Sequence, residues 1–217
     1  MKYTEKVKQI NWLAHNVVQL EVSKPDDFQY SAGDAVEIKV KDQEPGPFTM
    51  TNLPYEDHLE FVIRIYKDHH GKTEAISKLK AGDDISFTAP FNTFKPQKRA
   101  VFLAGGTGIT PFIAVMRAMR KEGEQNDCLL LFSNKTRKDL FLEDELNEML
   151  GEHYDNVITQ DKEDPEYYGN IDEDFLKKRI EDLTRPILVC GPPAFNEAME
   201  KALRNIGVKE QLIDLGS

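Results

Sequence analysis

The sequence predicts two domains in series, an N-terminal antiparallel β-barrel followed by an α/β domain built on a parallel sheet. Three observations carry this reading. The first half shows short, partly alternating apolar runs separated by turn residues, and the second half alternates apolar runs with helical patterns. Between them, Lys95-Pro96-Gln97-Lys98-Arg99 is a polar, proline-containing link, which sets the expected domains at 1–96 and 97–217.

In the first half the candidate strands are 17–22, 35–40, 59–66 and 84–88, of which Val36-Glu37-Ile38-Lys39-Val40 alternates most clearly. Lys24-Pro25-Asp26, Ala32-Gly33-Asp34 and Ala81-Gly82-Asp83 supply the turns. Strands at this spacing suit a small barrel, interrupted by one helical stretch near 74–80. In the second half, apolar runs at 100–104, 128–132, 157–159 and 185–190 read as strands. Helical patterns follow at 111–122, 138–150, 172–183 and 194–206, with Gly207 as a stop for the last. Alternation of this kind implies a parallel sheet covered on both faces, with ligands beyond the carboxyl ends of its strands.

Two modest cores fit a chain of 217 residues with 40% hydrophobic and 30% charged content. No apolar run approaches the ~20 residues of a membrane span, and Met1-Lys2-Tyr3-Thr4-Glu5-Lys6 lacks the apolar stretch of a signal peptide, so a cytoplasmic protein is expected. Cys128 and Cys190 both fall at strand positions expected to be buried, and two cysteines cannot ligate a four-cysteine iron–sulfur cluster. No metal site is expected, because His58, His69 and His70 lack ligand spacing and the histidine pair sits in a turn-like segment. A net charge of −10 argues against nucleic acid as a partner.

The most informative stretch joins the strand at 100–104 to Gly105, Gly106, Thr107, Gly108, Thr110 and Pro111. Glycines there permit φ > 0 and close backbone approach, and a helix begun at Pro111, with Thr110 as its cap, directs free N–H groups at the turn. That order suits a dinucleotide pyrophosphate. Cys190, Gly191, Pro192 and Pro193 end another strand of the same sheet, so both turns are expected on one edge.

With these pieces in order, the chain resembles the ferredoxin–NADP reductase superfamily of flavin-dependent NAD(P)H oxidoreductases over nearly its whole length. Gly46-Pro47-Phe48-Thr49 stands where that family has Arg-x-Tyr-Ser/Thr, followed here by Met50 and Thr51. Gly71-Lys72-Thr73 is similar to its phosphate turn, and the two glycine turns of the second half resemble its nicotinamide-nucleotide motifs. Supporting similarities lie at 78–83, 89–94 and 136–146. The resemblance implies a flavin-binding barrel and a Rossmann-like NAD(P)-binding domain, with FAD favoured over FMN and NADPH or NADH as substrate.

The residue types suit that chemistry. Phe48 can wall an isoalloxazine ring and the Thr49 hydroxyl can bond near N5. Arg64, Tyr66 and the Gly71, Lys72 and Thr73 turn could hold the rest of the flavin, its phosphate included. Cys190 resembles the family cysteine beside the nicotinamide, so Thr49 and Cys190 are the expected catalytic positions. Two departures weaken flavin binding on paper, by roughly 2–4 kcal/mol together. Gly46 replaces an arginine and Phe48 a tyrosine. Arg64 or Lys72 could compensate, the alternative being a loosely held flavin, and Gly46→Arg is expected to tighten binding.

After the second strand of the nucleotide domain come Ser133, Asn134, Lys135, Thr136 and Arg137, with no carboxylate before Asp139. NADPH is therefore favoured over NADH. The expected function is hydride transfer from NAD(P)H to FAD, then electron transfer to an unidentified acceptor: a protein such as ferredoxin, flavodoxin or an oxygenase component, or a small molecule. The alternatives are a non-catalytic nucleotide-binding module and an electron-transfer subunit of a larger complex.

Overall fold

The computed structural model describes residues 1–67, 71–94, 97–123, 128–162 and 168–216. His69, His70 and the first two residues of the expected link, 95 and 96, lie outside the described residues. By contact the chain forms two compact units, Met1–Lys95 with Thr110–Ala118, and Pro96–Ile109 with Met119–Ser217.

The first unit contains β1 (Tyr3–Ala14), β2 (Val17–Ser23), β3 (Asp34–Lys39), β4 (Gly46–Thr49), β5 (His58–Arg64), helix α1 (Lys72–Ser77), β6 (Asp84–Phe87) and β7 (Phe91–Asn92). The strands pair antiparallel in the order β4-β3-β6-β1-β2-β5, with β7 on β3. Its two edges meet where Met50 bridges Phe61 and the Thr51 N–H donates to the Glu60 carbonyl at 2.8 Å. The sheet thus closes on itself. Strand β1 escapes the sequence pattern because its residues are mostly polar and only Val7 among them is fully buried; neighbours β2 and β6 hold it on both sides. Inside lie Leu20, Ile38, Phe61 and an aromatic group in which Phe28 meets Tyr3 and Phe87 at 5.2 and 5.6 Å.

One polar group sits at the closure. Glu60 is 6% exposed and accepts hydrogen bonds from the Thr51 hydroxyl (2.6 Å), Gln19 Nε2 (2.6 Å) and the Arg117 guanidinium (2.7 Å). Arg117 also donates to the Thr51 carbonyl at 2.9 Å. Asn52 completes the network, accepting from the Glu60 N–H and the Tyr30 hydroxyl and donating to the His58 carbonyl.

The second unit is a parallel sheet of β8 (Val101–Gly105), β9 (Leu129–Asn134), β10 (Tyr154–Ile158), β11 (Ile187–Cys190) and β12 (Ile213–Asp214), ordered β10-β9-β8-β11-β12. Its helices are α3 (Glu143–Leu150), α4 (Glu173–Arg179) and α5 (Pro193–Asn205), while α2 (Thr110–Glu122) is divided between the units after Ala118. Two helices are shorter than expected. Before α3, Thr136 and Asp139 close a separate turn and Leu142 takes φ +57°, so 138–142 cannot continue the helix. Asp172 caps α4 by accepting from the Phe175 N–H, and extended Ile180 ends it before 183. Among the described residues, no helix is long and apolar enough to cross a membrane and no three His, Cys, Asp or Glu could share a metal ion.

Burial pushes the Glu60 carboxyl up, but Arg117 together with the bonds from Thr51, Arg117 and Gln19 outweighs it and holds the group below the ordinary glutamate range. A depressed carboxyl contributes stability above its unfolded pKa and loses it as pH falls through the folded value. We expect Arg117→Met to cost about 3–5 kcal/mol in urea unfolding at neutral pH, because it strands a buried charge. The cost should shrink as pH falls below the ordinary glutamate range, and a cost that stays constant with pH would refute this account.

Candidate functional site

In the second unit, β8 lies at the centre and Cys190 of β11 pairs with Ala104 of β8. The turns after β8 and β11 therefore leave adjacent strands at the same carboxyl edge, at the point where strand order runs outward in both directions. Gly106, at φ +57°, opens a 3-10 turn, Gly106–Ile109, ahead of α2. Thr110 does not cap this helix. Ile109 occupies the cap position with no side-chain bond, so Thr110 is the first helical residue and the turn's N–H groups are not claimed by a cap side chain.

Tight packing explains the glycines. A Cβ on Gly108 would be driven into the Cys190 carbonyl and lie 2.7 Å from the Gly191 nitrogen. At Gly105 it would meet the Phe195 ring at 3.0 Å and Pro192 Cδ at 3.2 Å, and at Gly191 the same ring. Phe195, on the first turn of α5, is thus the wedge under both turns, and sequence reasoning passed over it as one apolar position of a helix. Thr107 and Gly108 are half-buried, Pro111 is buried, and Pro192 and Pro193 are exposed.

Cys190 keeps partial exposure, unlike the buried position expected for it, whereas Cys128 is 1% exposed beside Met119 sulfur at 3.5 Å. Burial pushes the Cys190 thiol up to about 11, so it stays protonated at neutral pH. It offers a small polarizable surface rather than a thiolate nucleophile.

At the end of β9, Ser133 pairs with Gly105, and Lys135 and Arg137 are exposed. Asn134 is only 4% exposed, so its side chain turns inward and its carbonyl binds the Thr159 N–H at 2.9 Å. Asp139 is also buried, its carboxylate accepting from the Thr136 N–H (3.0 Å) and hydroxyl (2.7 Å). That carboxylate is committed to the turn.

In the first unit, Phe48 packs partly buried against the barrel core and Thr49 is 9% exposed, its hydroxyl without a hydrogen bond among the described residues. Met50 and Thr51 differ: both side chains are fully buried, one in the core and one on Glu60, so they serve the barrel. Arg64 is half-buried at the end of β5. Tyr66 is 52% exposed, and its N–H donates to the Thr73 hydroxyl at 3.3 Å, joining the end of β5 to α1 beside Gly71 and Lys72. Lys72 crosses to β4, where its ammonium donates to the Pro45 carbonyl at 2.6 Å.

Comparison with known proteins agrees with both units. An FAD-binding domain family matches residues 2–106, and an oxidoreductase NAD-binding domain family matches 102–201. The chain belongs to the ferredoxin–NADP reductase superfamily. It is 24% identical to the reductase component, ferredoxin–NAD(P)(+), of the naphthalene 1,2-dioxygenase system of Pseudomonas putida, over 92% of this chain and 63% of that protein. To NADH-cytochrome b5 reductase 2-A of Vanderwaltozyma polyspora it is 32% identical, over 70% of this chain and 56% of that one. The chain thus spans less than two thirds of these relatives. The fold matches the cytochrome b5 reductase domain of Ulva prolifera nitrate reductase at TM-score 0.82 and 23% identity, covering 98% of this chain and 96% of that one. A ferredoxin NADP+ reductase from Neisseria gonorrhoeae gives TM-score 0.80 at 19% identity, covering 94% and 91%.

The glycine turn of this superfamily member is tested most directly at Gly108. We expect Gly108→Ala to cost about 1–3 kcal/mol or more, since backbone rather than a flexible side chain must yield. Titration with a nicotinamide dinucleotide should show weakened binding while flavin binding is retained; unchanged nucleotide affinity would remove the turn from the site.

Proposed function

We propose that the chain is a flavoprotein reductase that takes hydride from NAD(P)H onto FAD and passes the electrons to an acceptor, protein or small molecule. The observation that carries this reading is the pairing of Cys190 with Ala104, which brings two side-chain-poor turns to one sheet edge in a chain that also has a matched FAD-binding barrel. The residues present suit both groups. Gly105, Gly106 and Gly108 keep the turn poor in side chains, no cap side chain claims its N–H groups, which suits a pyrophosphate, and Cys190 leaves room for a nicotinamide ring. In the barrel, Phe48 offers an apolar wall, and the Thr49 hydroxyl is uncommitted among the described residues. When bound, FAD supplies the two-electron acceptor chemistry that no side chain has. The chain's own part is to bind, orient and shield.

Relatives of this chain are named for ferredoxin, cytochrome b5 and dioxygenase systems, which supports a redox protein as the acceptor. The reading is tested by anaerobic titration of the flavin-loaded protein, in which NADPH or NADH should bleach the flavin absorbance. Flavin that stays oxidised under excess of both nucleotides defeats it.

We further infer a preference for NADPH, because Asp139 is tied into its turn and the exposed side chains after Asn134 include Lys135 and Arg137. Residues 133–137 offer a ribose diol no carboxylate, while Lys135 and Arg137 suit a 2′-phosphate. Replacing Lys135 and Arg137 with alanine should shift the NADPH-to-NADH ratio of kcat/KM by about tenfold or more toward NADH. Equal effects on the two nucleotides would refute the preference.

A further inference from the structure

Gly46 is not a glycine for the sake of its backbone. It sits in strand β4 with no left-handed φ, and what a side chain there would meet, and have to displace, is the flexible end of Lys72. A Cβ at 46 would collide with the Lys72 ammonium and lie 2.7 and 3.0 Å from its Cδ and Cε. The lysine stem therefore runs across the face of Gly46 and its head bonds the Pro45 carbonyl at 2.6 Å. A long cation on α1 fills the space that a residue-46 side chain would occupy.

An ammonium has three donors, and the Pro45 carbonyl takes one. Two remain for an anion. Among the described residues this ammonium bonds a carbonyl and no carboxylate, so its charge is not cancelled locally. Holding it on the carbonyl also removes much of the rotamer freedom that a lysine ordinarily loses on binding. The chain as a whole is at −10, so an FAD pyrophosphate needs such a fixed cation to approach.

We propose that Lys72 is the pyrophosphate-binding cation of the barrel, acting in the space over Gly46 that a side chain at that position would otherwise fill. This rests on the FAD-binding reading above and goes beyond it by assigning the charge to one residue. It also changes the expectation for an arginine at 46, which must push Lys72 aside and so exchanges one cation for another.

The test measures affinity of the apoprotein for FAD and for riboflavin, which lacks phosphate, by flavin fluorescence, with thermal melting as a control for folding. Lys72→Met keeps the stem over Gly46 and removes the charge. It should weaken FAD binding by about tenfold or more and leave riboflavin binding unchanged. Gly46→Arg should bring little gain in the otherwise unchanged chain and should restore FAD affinity in the Lys72→Met background. Undiminished FAD affinity in Lys72→Met, or equal loss of FAD and riboflavin, overturns the proposal while leaving the FAD reading standing. A clear gain from Gly46→Arg with Lys72 in place overturns the shared position. An unaltered chain that binds neither flavin overturns the reading and the proposal together.

Discussion

Closure of the barrel depends on a buried carboxylate. Glu60 on β5 gathers Gln19 from β2, Thr51 from the chain leaving β4, and Arg117 from α2 onto one pair of oxygens. Water would solvate such a group better than protein does, so its burial is tolerated only because every partner is present. The consequence is geometric. Thr51 follows Phe48 and Thr49 by a few residues, so the strand proposed to face the flavin is held at its exit by side chain and backbone together.

That network was the least legible part of the sequence. Within the strand expected at 59–66 and the helix expected at 111–122, neither Glu60 nor Arg117 stands out. In the fold, Phe112, Ile113, Ala114, Val115 and Met116 are all buried, so this helix has no wet face over that span and its arginine has to find an acid. By contrast, strands β2, β3, β5 and β6 and the parallel core were legible because their apolar period matches the pleat or runs unbroken. Strand β1 was not, since a polar strand held by neighbours on both sides carries little periodic signal of its own. The ends of α3 and α4 failed for another reason: local side-chain bonds at Thr136, Asp139 and Asp172 set the turns, and periodicity does not register them.

The candidate site was legible where it is backbone and less so where it is side chain. Gly105, Gly106 and Gly108 announce a turn that only glycine can make, and the structure gives each a distinct reason: the Phe195 ring, a positive φ, and the Cys190 carbonyl. Gly46 announces nothing of the kind. Its role depends on a lysine 26 positions later, and a pairing through space leaves no trace in local pattern.

Charge placement ties these features together. An acidic chain proposed to hold two anionic dinucleotides cannot rely on its average potential, which repels them. Among the described residues, several cations are spent on the chain's own acids: Arg179 on Asp155, Arg204 on Glu200 and Glu210, Arg120 on Glu148, and Arg117 on Glu60. Those pairs neutralise rather than attract. Positive potential toward a ligand must then come from the N–H groups of the glycine turn and from cations kept off carboxylates, as Lys72 is by its bond to a carbonyl. Because these sources act over a few ångströms while the acidic background acts over a Debye length, raising salt should screen the repulsion more than the contacts. Dinucleotide binding here is therefore expected to weaken less with ionic strength than it does in basic nucleotide-binding proteins, and a steep loss of affinity between low and physiological salt would show that long-range attraction governs it instead.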